Sequence, residues 1–328
     1  MNKPLYSIKN TIKYHNHDEK DCIHIAYGID NNYARCAATS IASICINNST
    51  HNFSFYIMTT GLTNINSVKF EELAFEYSVN ITIFVVDSEC LHSLPTKAHL
   101  PLPTYFRFIL PMILKDVKQL IYIDADIVCL NQADEVFNMD LQGNVIAAVP
   151  DLEKLAKKRN HALGLSNHIY FNAGLLIIDV KKWLEMDMLN KVVSCISKDP
   201  KKFQYLDQDA LNLILDGKVL YLERRFNCID ITSMEKIDII FFHFAAHPKP
   251  WTAAWNISNK KDDFNIDLYK YYESSTPWHG TPPSMPNNYK EMEIYAKCLK
   301  QHKRSKEAAQ WYLRYLMAKF KYITSKKS

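Results

Sequence analysis

The sequence predicts an α/β fold with a small helical appendage at its C-terminal end. Three observations carry this expectation. The chain has 328 residues, 48% of them hydrophobic, enough to bury a large core. Short apolar runs alternate with helical stretches through most of its length. Beyond about residue 255 the alternation stops, and polar, Pro- and Trp-containing sequence leads into a basic, aromatic tail.

Taken in order, residues 1–20 are polar and charged and form an extension without the apolar core of a signal peptide. Ile23–Tyr27 reads as a buried strand, Tyr33–Ile46 as a helix, Phe53–Met58 as a strand, Ser67–Tyr77 as a helix and Ile81–Val86 as a strand. Tyr105–Leu114 is helical, with Pro111 bending or ending it. Gln119–Ile123 is the next strand and delivers Asp124. Later strands are expected at Val145–Val149, Tyr170–Asp179, Val219–Leu222 and Ile237–His243, and helices at Lys181–Ser197 and Asp209–Leu215. The stretch from Trp255 to Pro286 is a connection. After it, Trp311, Tyr312, Tyr315, Leu316 and Phe320 recur at helical spacing among Lys and Arg. That stripe suits either a helix packed on the main domain or an interfacial helix drawn to anionic lipid. The expected domains are an extension (1–20), a main domain (21–255) and a C-terminal region (256–328).

No window approaches the roughly 18 uninterrupted apolar residues of a membrane span, so the expected location is the cytoplasm. The eight cysteines form no C-x-x-C pair and read as reduced, mostly buried thiols rather than a disulfide frame or zinc site. The net charge of +4 is uneven. Residues 300–328 hold nine Lys and Arg against Glu307 alone, and the first 299 residues carry a net −4.

Asp124-Ala125-Asp126 follows the apolar run Leu120–Ile123, where an open α/β sheet places its ligands. In an extended conformation the two carboxylates point to one side, and such a pair suits Mn²⁺ or Mg²⁺. A solvated or helix-capping acid pair is the blander possibility. Another is a haloacid-dehalogenase-like phosphatase with Asp124 as nucleophile. About 120 residues of α/β pattern precede the motif, however, and Asp262-Asp263 lies in a polar loop rather than at a later strand end. His243 arrives at the end of another apolar run, where a neutral imidazole either completes the metal's protein ligands or is structural. Lys249, before Pro250 and Trp251, sits on a rigid turn that suits presentation of an ammonium to a diphosphate. Asp207-Gln208-Asp209 stands at a helix start, where acids also serve as caps. Gly174, in Asn172-Ala173-Gly174, suggests close approach of a ligand or backbone to a strand.

Together, YGIDNNY (27–33), TYFRF (104–108), YIDADIVCL (122–130), YFNAGLLIIDVKKW (170–183), LDQDALN (206–212) and HFAAHPKPW (243–251) resemble retaining glycosyltransferases of family 8. STPWHG (275–280) and PNNYKEMEIYAKCLK (286–300) resemble, more narrowly, the lipopolysaccharide core glucosyl- and galactosyltransferases of enteric bacteria. The resemblance spans about residues 22–320 and implies a GT-A-type, Rossmann-like mixed sheet flanked by helices. It implies that Asp124, Asp126 and His243 bind Mn²⁺ or Mg²⁺, which neutralises the departing diphosphate. By the same resemblance Asp30 and Asn32 hold uracil and ribose, with Tyr33 stacked on the base. Arg107 and Asn172 contact the donor sugar and its phosphates, Lys249 grips the diphosphate, and Asp207 and Gln208 face the hexose. The implied partners are UDP-glucose or UDP-galactose, the lipopolysaccharide core and the anionic inner face of the cytoplasmic membrane, with no nucleic acid. Ala246 departs from the family pattern, which has glycine there.

Overall fold

The computed structural model describes residues 6–87, 102–229, 238–258 and 263–325. The described residues fall into two compact units, one running to His243 and the other from Phe244 on.

The first unit is built on a mixed sheet. Its strands are β1 (Ile8–Tyr14), β2 (Ile23–Gly28), β3 (Phe53–Thr59), β4 (Asn80–Val86), β5 (Gln119–Ile123), β7 (Ile146–Pro150), β8 (Phe171–Asp179) and β9 (Val219–Tyr221), and a separate short strand, β6 (Ile127–Cys129), follows β5. The order across the sheet is β1-β4-β3-β2-β5-β8-β7-β9. β2, β3 and β4 run parallel, and β5 is parallel to β2, with Ile25 opposite Ile121. Parallel neighbours need crossovers, which α1 (Ala34–Asn47) and α2 (Asn64–Glu76) provide. Every residue of β3 is buried, as expected for a strand covered on both faces. β8 reverses direction between β5 and β7, with Leu175 opposite Ile123 and Asn172 opposite Val149. The ends of β2, β5 and β7 therefore meet the start of β8 at one edge.

α3 (Phe106–Ile113) packs Phe108 against Trp183, the rings stacked 6.0 Å apart. Pro111 lies inside α3, which ends two residues later. A short helix α4 (Asp134–Phe137) follows β6, and α5 (Glu153–Leu163) follows β7. The single helix expected over Lys181–Ser197 is two, α6 (Val180–Glu185) and α7 (Met188–Lys198). Asp187 between them takes a left-handed conformation (φ 50°), which no helix continues through. α8 (Leu206–Ile214) starts before the expected Asp209, so Asp207 and Gln208 sit within its first turn. β10 (Phe241–His243) pairs antiparallel with β6, with His243 opposite Ile127 and Phe241 opposite Cys129. Of the strand expected over Ile237–His243, Ile237 lies outside the described residues.

Within the span expected only as a polar extension, Ile8–Tyr14 forms the edge strand β1, antiparallel to β4. Its side chains are exposed or half-buried, so no apolar run marks it.

The second unit is helical, with α9 (Ala253–Asn256), α10 (Asp263–Ser274), α11 (Tyr289–Gln301) and α12 (Ser305–Ser325). α10 lies in the stretch read as a connection and includes Asp263. Tyr295, Cys298 and Leu299 of α11 meet Ala308 and Trp311 of α12, with Tyr295 edge-on to Trp311 at 5.2 Å. The aromatic stripe of the tail thus divides. Trp311 packs on α11 and Tyr315 is buried, whereas Tyr312, Leu316 and Phe320 are exposed with Leu313, Met317 and Ile323. Among the described residues no helix is long and apolar enough to cross a membrane.

Candidate active site

Asp124 leaves β5 at the sheet edge, its backbone N–H donating to the carbonyl of Gly174 on β8 (2.7 Å). The triplet is a tight turn rather than extended chain, because the Ile127 N–H returns to the Asp124 carbonyl at 3.1 Å. The turn still gathers the carboxylates. Asp124, Asp126 and His243 each offer a ligand atom, and these atoms lie within 4.8 Å of one another. The β6–β10 pairing brings His243 in, its Nε2 3.2 Å from Asp126 Oδ1.

Gly174 makes room for that imidazole. A Cβ added there would stand 2.6 Å from His243 Cε1, closer than such atoms approach. The close approach anticipated at this glycine is therefore made by a side chain. Two carboxylates and an imidazole are a donor set suited to a divalent first-row ion, and the space left by the missing Cβ admits the third donor. The residues present fit Mn²⁺, or Mg²⁺ with its preference for oxygen ligands.

Arg107, on α3, organises the other side. It donates to Asp124 (Nη2 to Oδ1, 3.0 Å), to the Ala173 carbonyl (Nη1, 2.5 Å) and to the Thr104 carbonyl (Nε, 3.0 Å), and it forms an ion pair with Asp207 (Nε to Oδ2, 3.2 Å). Its guanidinium also lies 4.6 Å from the centre of the Tyr122 ring. Burial opposes the Arg107 charge, but Tyr122 and the acids outweigh it and hold the guanidinium protonated more firmly than usual. Burial pushes the Asp124 carboxyl up, with Asp126 adding to the effect and Arg107 opposing it. Asp207, 2% exposed, is pushed up to about 6 by burial, against the pull of Arg107 and with Asp124 adding repulsion.

A second network fixes Gln208. Its Oε1 accepts from the Ala173 N–H (3.0 Å), while Nε2 donates to Asp151 Oδ2 (3.0 Å) and lies 3.1 Å from the Tyr170 hydroxyl. Asp151 Oδ2 also accepts from Asn172 Nδ2 at 3.2 Å. Beneath them Arg159 holds Asp209 with two bonds of 2.9 and 2.7 Å, and the Tyr170 hydroxyl donates to Asp209 at 2.6 Å.

Arg107, Asp124, Asp126, Asn172, Asp207, Gln208 and His243 are thus joined through side chains and the backbone of β8. Asp30, Asn32 and Tyr33 stand on the turn after β2, at the same sheet edge, where the Asp30 carboxylate caps the turn through the N–H groups of Asn32 and Tyr33. Lys249 belongs to the second unit and is buried there, its ammonium donating to the Phe244 carbonyl. Ala246 is exposed and keeps an ordinary backbone, outside the positive-φ residues, so its methyl group brings no backbone strain.

Sequence reasoning did not single out Asp151, Arg159 or Asn227. Asp151 carries the same signal as Asp124, an acid directly after an apolar strand. Arg159 lies in a polar helix, and Asn227 in an irregular segment; each is marked only by burial.

The profile of "Glycosyl transferase family 8" matches residues 24–254. A lipopolysaccharide 1,3-galactosyltransferase of Salmonella typhimurium is 28% identical, with 95% of this chain and 96% of the relative covered. A lipopolysaccharide 1,2-glucosyltransferase of Escherichia coli is also 28% identical, with 82% of each covered. Among solved structures, the galactosyltransferase LgtC in complex with donor and acceptor sugar analogues superposes with a TM-score of 0.67 at 22% identity, over 77% of this chain and 96% of that one. That likeness is one of fold, the GT-A mixed sheet.

Proposed function

The chain belongs to glycosyl transferase family 8, and from that membership we propose that it transfers a hexose from UDP-glucose or UDP-galactose, with retention, to the growing outer core of lipopolysaccharide. The observation that carries the proposal is the Asp124–Asp126–His243 cluster at the sheet edge, beside Arg107 and the pinned Gln208. Relatives matched along most of their length act on lipopolysaccharide by name, and they divide between galactose and glucose. The phosphatase alternative falls with family membership.

Anomeric substitution creates negative charge on the departing UDP and positive charge at the sugar. A divalent ion, Mn²⁺ or Mg²⁺, held by Asp124, Asp126 and His243 supplies charge for the diphosphate. Arg107 serves the same end, its guanidinium aimed by Asp207 and the Ala173 carbonyl. In this reading Lys249 grips the diphosphate, Asp30, Asn32 and Tyr33 hold uridine, and Asn172 touches the donor sugar. Gln208 presents a fixed amide dipole to the hexose, with Asp207 behind it through Arg107. The exposed apolar side of α12, among Lys and Arg, supports a peripheral association with the anionic inner face of the cytoplasmic membrane, the location this reading gives the acceptor.

Purified protein with Mn²⁺, UDP-glucose or UDP-galactose in parallel, and truncated lipopolysaccharides, followed by mass, tests this. One donor should add one hexose to one acceptor, and Asp126→Ala should abolish the addition. Donor left intact in both reactions, or hexose added equally by Asp126→Ala, would overturn it.

A further inference from the structure

The chain of hydrogen bonds behind His243 begins at a group of fixed polarity. The Gly174 backbone N–H can only donate, and it donates to Asn172 Oδ1 at 2.9 Å. Asn172 is oriented a second time by its Nδ2, which faces the acceptor Asp151 Oδ2. Both constraints agree, so Asn172 Oδ1 is an acceptor. The atom of Asn227 that meets it at 2.9 Å is therefore the amide nitrogen. Asn227 Oδ1 is left facing His243 Nδ1 at 3.1 Å. An amide oxygen only accepts, so the proton sits on Nδ1. In the neutral ring Nε2 then bears a lone pair, and it points at Asp126 Oδ1, 3.2 Å away. Two lone pairs facing each other at that distance are settled by a positive charge, either a second proton on the ring or a metal ion.

We propose that Asn227 is a positioning residue that holds His243 in its Nδ1–H tautomer, so that Nε2 faces the two carboxylates as a ready metal ligand. This rests on the metal-site reading above. The backbone puts Asn227 in place. Cys228 N–H donates to the Phe241 carbonyl and His243 N–H to the Cys228 carbonyl, both at 2.9 Å, so the segment runs alongside β10. Asn227 is 3% exposed and His243 5%, which keeps bulk water from offering the ring another partner. Asparagine is the residue the position needs, because it donates to one neighbour and accepts from the other. Aspartate would set an acceptor against Asn172 Oδ1, and leucine would offer Nδ1 nothing.

The test uses the full chain. With ¹⁵N-histidine labelling of the metal-free protein, followed upward in pH until the ring carries a single proton, the His243 signals are identified by their loss in His243→Gln. A pyrrole-like Nδ1 and a pyridine-like Nε2 are expected; the reverse tautomer would overturn the proposal. Mn²⁺ titration followed by electron paramagnetic resonance should show Asn227→Leu binding about tenfold or more weakly than the unaltered protein. Equal affinity would also overturn it. If Asn227→Leu fails to fold, the tautomer measured in the unaltered protein decides alone. Should the unaltered protein bind Mn²⁺ no better than Asp126→Ala, the metal reading falls, whereas the tautomer is measured without metal and is judged separately.

Discussion

Gly174 shows how little freedom a single position in this site has. Its φ is ordinary, so alanine strains no backbone, yet the new methyl would overlap the His243 ring. Gly174→Ala is expected to keep the fold, judged by circular dichroism, and to weaken Mn²⁺ binding about tenfold or more by displacing one ligand. Asp207 gives a prediction in pH. Its folded carboxyl titrates near 6, above the ordinary 3.8, so the folded metal-free protein binds the extra proton first as pH falls. The contribution is fully present below the unfolded value and lost as pH rises through 6. Between pH 7 and 5 the protein should gain on the order of 1 kcal/mol relative to Asp207→Asn in urea unfolding. At this scale the sequence was half legible. Asp124 and Asp126 were visible because an apolar strand delivers them. Asn227 was not, because its meaning depends on a backbone N–H of another strand.

At the scale of elements, α8 owes its place to a buried ion pair. Asp209 is fully buried, and Arg159 meets both of its oxygens. Arg159→Met leaves that charge uncompensated and should cost about 3–5 kcal/mol in urea unfolding, part of which Arg159→Met with Asp209→Leu restores. Because α8 carries Gln208, turnover should fall as well. In α12, replacing Leu316 and Phe320 by serine touches only exposed side chains. The double variant should lose binding to anionic vesicles by about tenfold in sedimentation, while hydrolysis of UDP-sugar persists. The buried strands and α1 were readable because their apolar runs match their periods. β1 and α5 were not, since one is an edge strand with mostly wet side chains and the other a polar helix. α10 hid in a stretch whose Asn, Lys and Asp residues read as linker. The break at Asp187 had no marker, because a non-glycine residue takes the left-handed turn.

For the whole molecule, the sheet order decides the chemistry. β2, β5 and β7 end where β8 begins, so residues from positions 30 to 243 meet along one edge. Alternation of apolar runs made the α/β class legible, but the reversal of β8 was not, because a strand buried along nearly its whole length looks the same in either direction. The β6–β10 ribbon has its own consequence. Asp126 stands directly before one strand and His243 ends the other, so an ion shared between them, as proposed above, would staple the ribbon shut. Cys129, on β6 opposite Phe241, is fully buried, and burial pushes its thiol up to about 12. An alkylating reagent can reach that sulfur only when its cover opens locally, β10 beside it or Asn48 at the end of α1 against its Sγ. The rate of Cys129 modification, read by peptide mass, is thus a clock for local opening, and Mn²⁺ should slow it in the unaltered protein but leave it unchanged in Asp126→Ala.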